Sequence, residues 1–96
     1  MIRKLGYIGL GKMGINMVLS FGEHGIPVLA YNRSEAGRVA ARRKGITVVD
    51  SLEDLIEELP KPRTVWLMVS SSGVDTVLKK IISLLSRGDT IIDGGN

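Results

Sequence analysis

Three glycines near the N-terminus have the spacing of a phosphate-binding turn. Gly9, Gly11 and Gly14 form a G-x-G-x-x-G pattern between a short apolar run and a segment of helical periodicity. In such a turn the first glycine permits a tight bend, the second lets a pyrophosphate approach the backbone, and the third lets helix and strand pack closely. The N–H groups at the start of the helix then face the phosphates. The alternative is a tight strand-to-helix turn without a ligand.

A second group of polar residues follows Tyr31, about twenty positions further on. Domains that bind NAD commonly have an acidic residue here, which accepts a hydrogen bond from the ribose 2′-hydroxyl. This chain has the neutral Asn32, then Arg33 and Ser34. Because an arginine pairs with a 2′-phosphate whereas a carboxylate repels it, the pattern favours NADP over NAD. Alternatively, Ser34 only caps the following helix and Arg33 is a surface residue.

Two further arginines, Arg38 and Arg42, are four residues apart and share one face of the helix predicted after Ser34. They could form a secondary cationic rim beside the 2′-phosphate site. A solvated helix face is the alternative interpretation.

Short β-rich runs alternate with helical segments along the whole chain. The predicted strands are Lys4–Ile8, Val28–Tyr31, Thr47–Val49, Thr64–Val69 and Thr90–Asp93, and the predicted helices are Gly11–Glu23, Glu35–Lys44, Leu52–Glu58 and Val74–Leu85. The strands are almost continuously apolar, as is typical of parallel strands covered on both faces. This alternation predicts an α/β fold, a Rossmann-type doubly wound parallel sheet in three α/β/α layers. Right-handed crossovers give the strand order 3-2-1-4-5.

Composition limits the classes of protein to consider. With 96 residues, 44% of them hydrophobic and 24% charged, the chain is expected to form one globular domain over residues 1–96. No apolar run approaches the ~20 residues of a membrane span, and no signal peptide precedes Lys4, so a cytoplasmic protein is expected. The absence of cysteine excludes disulfides and thiolate metal ligands. The net charge of +3 could suit nucleic acid, but 4% aromatic residues are too few for base stacking.

Three segments in this order resemble the N-terminal NADP-binding domain of decarboxylating 6-phosphogluconate dehydrogenase. They are Ile8–Met17, with the glycine turn, Tyr31–Ser34, and Ile91–Asn96, with its Asp-Gly-Gly-Asn sequence. The segment from Pro60 to Val69 is also similar to that family. The glycine turn is shared by many enzymes, whereas the Asp-Gly-Gly-Asn sequence is much more specific to this family. The resemblance covers this whole chain but only the first part of a family member.

The resemblance implies a set of site residues. The glycine turn would wrap the pyrophosphate, with Met13 near the nicotinamide, and Lys12 could add a positive charge. The residues of this turn are Gly9, Leu10, Gly11, Lys12, Met13 and Gly14. Asn32, Arg33 and Ser34 would hold the 2′-phosphate, and Val69, Ser70 and Ser71 would line the cleft. Asn96 would contact the nicotinamide side and the sugar-acid substrate. Spacing alone instead makes Met13 a core residue and Asn96 a plain loop residue.

The resemblance also implies an activity. Family members oxidise 6-phosphogluconate with NADP and release carbon dioxide to give ribulose 5-phosphate, a step of the pentose phosphate pathway. Their catalytic lysine and glutamate lie in segments beyond Asn96, so this chain is expected to bind cofactor without turnover. Where the family often has Lys-Ala-Gly or Pro-Ala-Gly, this chain has Ser70-Ser71-Ser72-Gly73, which alters the cofactor contact and removes a lysine. The parent enzyme is expected to be a homo-oligomer, without a nucleic-acid or membrane partner.

Two other functions stay open. The first is the cofactor domain of a 3-hydroxyacid dehydrogenase of the hydroxyisobutyrate type. Two motifs argue against this function, Asn32–Ser34 and Asp93–Asn96. The second is a stand-alone nucleotide-binding or redox-sensing module without catalysis.

The last predicted strand, Thr90–Asp93, has two adjacent apolar residues and would be the edge of the sheet, so the isolated domain is expected to associate through it.

Overall fold

A computed structural model describes residues 3–69 and 71–94, in which helices and parallel strands alternate. The elements are β1 (Leu5–Ile8), α1 (Lys12–Glu23), β2 (Val28–Tyr31), α2 (Glu35–Arg43), α3 (Leu52–Glu58), β3 (Thr64–Leu67), α4 (Ser71–Ile82) and β4 (Thr90–Asp93). The strands lie in the order β2-β1-β3-β4, and every pair is parallel. The predicted α/β class and Rossmann-type arrangement are confirmed. No helix in the described part of the chain is long and apolar enough to cross a membrane.

The predicted strand Thr47–Val49 is wrong as a strand, because the segment makes only a single parallel bridge between Ala30 and Val48. Ala30 donates its N–H to the Thr47 carbonyl at 3.0 Å, and Val49 donates to the Ala30 carbonyl at 2.9 Å. The segment therefore lies beside β2, where the predicted order placed it. It is too short to continue the ladder, since the turn after α2 ends just before it and α3 begins at Leu52.

Two elements also differ from the prediction by more than one residue at an end. The strand predicted to reach Val69 ends at Leu67, although Met68 still donates its N–H to the Ile8 carbonyl at 2.7 Å. The helix predicted over 74–85 runs from Ser71 to Ile82, which places almost a full extra turn beside the end of β3. Ser51 is the N-cap of α3, since its Oγ accepts the Asp54 N–H at 3.0 Å.

The core consists of two clusters, one on each face of the sheet. Ile8 and Leu67 point to one face, where they pack with Leu55 of α3 and Ile81 of α4. Tyr7 points to the other face, in a cluster completed by buried residues of α1, β2, α2 and the connecting segments: Leu10, Val18, Ala30, Ala41, Ile46 and Val48. Because both faces are covered, the central strands need apolar residues at successive positions, which explains their continuous hydrophobic runs.

Three aromatic side chains, one on α1 and two on strands of the sheet, pack together where α1 meets the sheet. The rings of Tyr7 and Trp66 are parallel with centroids 6.5 Å apart, and Phe21 meets each of them edge-on. Burial raises the pKa of Tyr7 to about 12, so its hydroxyl stays protonated at physiological pH. This cluster fixes the height of α1 above the sheet, and with it the turn from which that helix begins.

A buried ion pair joins β3 and β4 at their amino ends. Asp89 accepts the Arg63 backbone N–H at 2.6 Å and the Ser86 N–H at 2.8 Å, and its other contact is the Arg63 guanidinium at 3.0 Å. The two side chains are 1% and 10% exposed. Burial raises the pKa of Asp89, but these hydrogen bonds and the charge of Arg63 outweigh it and hold that pKa below its ordinary value.

The strand β4 is an edge in the described part of the chain, and we predict that the 96-residue chain associates through it. Sedimentation over a concentration series should show growing assemblies. Thr90→Lys should suppress them, because Thr90 is exposed on this strand whereas Ile91 packs against the core. Ala40→Lys adds the same charge on α2 and is the control. A chain that stays monomeric at every concentration contradicts the prediction.

Candidate functional site

A cleft of about 640 Å³ opens at the carboxyl ends of β1, β2 and β3. Its walls come from the turns after these strands and from one side of α4: Ile8, Gly9, Gly11, Tyr31, Asn32, Arg33, Leu52, Met68, Val69, Gly73, Thr76, Val77 and Lys80. The chain leaves β1 for β2 on one side of it and then returns, through α2 and α3, to β3 on its other side. Open α/β sheets bind ligands at such a switch point.

The glycine turn has the geometry that its spacing predicts. Gly9 has φ 111°, and a Cβ there would overlap the Met68 carbonyl oxygen of the neighbouring strand. A Cβ on Gly14 would overlap the Gly9 carbonyl, so α1 approaches β1 as closely as only glycine allows. Gly11 is different, because no described residue beyond its immediate chain neighbours lies within 4 Å of the position its Cβ would take. Two of the glycines therefore serve close packing, and the third leaves open space at the start of a helix.

The start of α1 is suited to an anion. Gly11 is the N-cap residue, and no side chain in the described part of the chain accepts a hydrogen bond from the first turn. Its N–H groups consequently carry the positive end of the helix dipole toward the open space beside Gly11. Lys12 and Met13 are both exposed here, Met13 to 70%, so Met13 is not the core residue that its spacing alone suggests.

Asn32 connects the glycine turn to the turn after β2. Its Oδ1 accepts the Leu10 N–H at 2.8 Å, and its Nδ2 donates to the Ser34 Oγ at 3.0 Å. The Leu10 side chain itself is buried in the core. An aspartate at position 32 could accept from Leu10 but could not donate to Ser34. The carboxamide of Asn32 thus has an internal role that the sequence does not reveal.

Arg33 and Ser34 divide the two roles that the sequence left open for them. Ser34 caps α2, since its Oγ accepts the Gly37 N–H at 3.1 Å. Arg33 is exposed on the wall of the cleft, and its guanidinium makes no hydrogen bond or ion pair with any described residue. It is therefore a cation at the cleft with its hydrogen-bonding capacity unused.

Arg38 and Arg42 do not form a free cationic rim, because both are engaged inside the protein. Arg38 Nη1 donates to the carbonyls of Asn32 and Arg33, each at 2.9 Å. Arg42 Nη2 donates to the Val48 carbonyl at 3.0 Å and to Asp50 at 2.9 Å. The hydrogen bond and charge of Arg42, with a further contribution from Arg38, lower the pKa of the Asp50 carboxyl.

The remaining predicted site residues follow β3. Val69 lines the cleft. Ser70 and Asn96 lie outside the described residues, as does the side chain of Ser71.

Sequence reasoning missed the wall formed by α4. Thr76 and Lys80 are one helical turn apart and both face the cleft, where Lys80 pairs with Glu53 at 2.9 Å. The hydrogen bond from Lys80 lowers the pKa of Glu53. The spacing of Gly73, Thr76 and Lys80 along one helical face is the signal that could have indicated this wall.

Comparisons with known proteins agree with this geometry. A family sequence model described as the NAD binding domain of 6-phosphogluconate dehydrogenase matches residues 4–96. The Saccharomyces cerevisiae protein "6-phosphogluconate dehydrogenase, decarboxylating 2" is 41% identical over 98 residues, which cover 96% of this chain and 20% of that protein. The decarboxylating 6-phosphogluconate dehydrogenase of Haemophilus influenzae is 44% identical over 98 residues, with the same coverage. The chain thus spans about a fifth of the length of the curated relatives it matches.

Solved structures show the same fold. Plasmodium falciparum 6-phosphogluconate dehydrogenase, determined in its apo form, with NADP⁺ and with 6-phosphogluconate, matches with a TM-score of 0.87 at 31% identity. The match covers 95% of this chain and 21% of that one. Mycobacterium tuberculosis 3-hydroxyisobutyrate dehydrogenase matches with a TM-score of 0.82 at 20% identity, covering 97% of this chain and 31% of that one, and shares the fold alone.

Proposed function

The chain belongs to the family of the NAD binding domain of 6-phosphogluconate dehydrogenase, and from this premise we propose that it is the NADP-binding part of a decarboxylating 6-phosphogluconate dehydrogenase. The observation that carries the choice of NADP is Arg33, a cation on the cleft wall that has no partner among the described residues. In the whole enzyme the substrate would be 6-phosphogluconate or a related sugar acid. The same proposal holds that the whole enzyme is a homo-oligomer in the cytoplasm.

The described residues fit a dinucleotide. The open space beside Gly11 can take a diphosphate, and the first turn of α1 offers it N–H groups that no side chain caps. The Leu10 N–H, in contrast, already donates to Asn32, so it holds the glycine turn in place and does not contact the ligand. When bound, NADP⁺ accepts a hydride from the substrate. This chain binds and orients the cofactor, while proton transfer is assigned to residues outside it.

Arg33 would select the 2′-phosphate. A guanidinium forms charge-assisted, often forked hydrogen bonds with phosphate oxygens, and it has no such partner on an unphosphorylated ribose. Asn32 and Ser34 support this role chiefly by fixing the turn, because their side chains are hydrogen-bonded to each other and to the backbone.

Calorimetric titration of the purified chain tests the proposal. NADP⁺ should bind with weak to moderate affinity, and an assay with 6-phosphogluconate should show no reduction of the cofactor. The absence of turnover follows from placing the proton-transferring groups outside the 96 residues. Turnover by the purified chain would show that this placement is incorrect.

Arg33→Ala should weaken NADP⁺ much more than NAD⁺. The loss of a charge-assisted hydrogen bond corresponds to roughly 1.5–3 kcal/mol, or about 10- to 150-fold in Kd for NADP⁺. Arg43→Ala is the matched control, since Arg43 is an exposed arginine at the far end of α2. Equal losses for both cofactors in Arg33→Ala would leave Arg33 as a surface residue. Asn32→Asp is a poorer test, because it also breaks the donation to Ser34.

A further inference from the structure

We infer that Arg38 is a positioning residue that sets the preference for NADP over NAD by holding the backbone from which Arg33 projects. The inference rests on the proposed function, in which Arg33 meets the 2′-phosphate. Arg38 itself would not touch the cofactor. Its effect would pass entirely through Arg33.

The bonds of Arg38 lead directly to this turn. Its Nη1 reaches back from the second turn of α2 to the carbonyls of Asn32 and Arg33, at 2.9 Å each. Two successive peptide units are thereby held by one guanidinium nitrogen. Since the Arg33 side chain has no partner among the described residues, the backbone sets the point and the direction from which its guanidinium reaches into the cleft. The residue that holds this backbone consequently limits where the cation of the cleft can reach.

The guanidinium of Arg38 has two further contacts, an ion pair and an aromatic ring. Its Nε lies 3.3 Å from Asp50 Oδ1, and its Cζ lies 5.9 Å from the centroid of the Tyr31 ring. The side chain is only 14% exposed. A planar guanidinium can serve all these partners at once, whereas the ammonium of a lysine lacks the fork. Arg38 is therefore an immobilised group and not a cation waiting for a ligand.

Arg42 provides a control within the same helix. It shares Asp50 with Arg38, but its backbone contact is the Val48 carbonyl, which lies outside the turn that carries Arg33. Substituting Arg42 removes one positive charge from α2 and loosens Asp50 without releasing the carbonyls of Asn32 and Arg33. A general effect of charge or helix stability would appear in both arginine variants, and a positioning effect only in Arg38.

The experiment measures Kd for NADP⁺ and NAD⁺ by calorimetry in the wild type, Arg38→Met, Arg38→Lys, Arg42→Met, Arg33→Ala and the double variant Arg33→Ala with Arg38→Met. Arg38→Met and Arg38→Lys should each reduce the ratio of the two affinities by roughly tenfold, by analogy with the loss of one charge-assisted hydrogen bond. Arg42→Met should leave the ratio nearly unchanged. In the Arg33→Ala background, Arg38→Met should change the ratio no further.

Three outcomes would overturn the inference. Unchanged affinities for both cofactors in Arg38→Met and Arg38→Lys show that the turn does not need this guanidinium. Additive losses in the double variant show that Arg38 meets the phosphate itself, and equal weakening of both cofactors shows a merely structural role. If Arg38→Met does not fold, Arg38→Lys, which keeps the charge and the aliphatic stem, decides the question. A wild type without preference for NADP⁺ instead refutes the proposed cofactor, which is a separate failure.

Discussion

Gly9→Ala should destabilise the domain by several kcal/mol, whereas Gly11→Ala should fold normally and bind the cofactor more weakly. At Gly9 a side chain meets both a φ of 111° and the Met68 carbonyl of the adjacent strand. Backbone strain costs about 1–3 kcal/mol and overpacking a further 1–3 kcal/mol, against a stability of about 5–15 kcal/mol for a typical domain. Because the obstacle is backbone rather than a flexible side chain, we expect the upper part of this range.

Gly11 has neither constraint. Its φ of −71° suits any residue, and no atom lies within 4 Å of the added methyl group. The change in unfolding free energy should stay within about 0.5 kcal/mol, as for most surface substitutions. The methyl group would nevertheless occupy the space assigned to the pyrophosphate, so NADP⁺ and NAD⁺ should both bind more weakly. Urea unfolding and calorimetric titration measure the two effects separately. Undiminished cofactor binding by Gly11→Ala would mean that the turn is purely structural.

Asp89→Ala should destabilise the domain by about 3–5 kcal/mol, because it leaves the Arg63 guanidinium buried without its counter-ion. It also removes the acceptor of the Arg63 and Ser86 backbone N–H groups. Arg63→Met should cost less, since the carboxylate then keeps both backbone donors. This order of the two variants distinguishes a carboxylate that organises a turn from a simple ion pair. Equal losses would contradict it.

Chemical unfolding as a function of pH gives a second measure of Asp89. Since its pKa is lowered in the folded state, its contribution is fully present above about pH 4–5, where an unfolded aspartate is ionised. The contribution is lost as the pH falls through the lower folded-state pKa. Asp89→Ala should therefore show a flatter acid limb than the wild type. Glu53→Gln, which breaks the exposed pair with Lys80, is the control and should change stability little.

The periodic features of the fold could be predicted from the sequence. Apolar runs, glycines after helices and the G-x-G-x-x-G spacing are local signals, and they indicated the four strands, the four helices and the roles of Gly9 and Gly14. Thr47–Val49 misled for a local reason as well: three β-branched residues favour a strand, but the neighbouring elements leave no length for a ladder.

The roles that escaped prediction depend on side chains that meet over long stretches of sequence. Asn32 bonds to a backbone group 22 positions away, and Arg63 to a carboxylate 26 positions away. No spacing rule connects such pairs, because the crossovers of the sheet bring them together. Arg38 was misjudged for a different reason: an arginine at i+4 on a helix is usually solvated, and only the path of the preceding turn places two carbonyls within its reach.

The single bridge at Ala30 also determines which part of the domain opens first. Residues 47–49 are held to β2 by two backbone hydrogen bonds, whereas β1 is paired along its whole length on both sides. Segments with few such bonds open locally at a free-energy cost well below that of global unfolding. The amide of Val49 should then exchange with solvent deuterium sooner than those of β1. Along the chain, α2 and the turn that bears Arg33 lie between β2 and residues 47–49. An NADP⁺ held by Arg33 would therefore slow the exchange of the Val49 amide, because it binds only the closed state. Occupancy of the cleft could then be measured at an amide that does not touch the ligand.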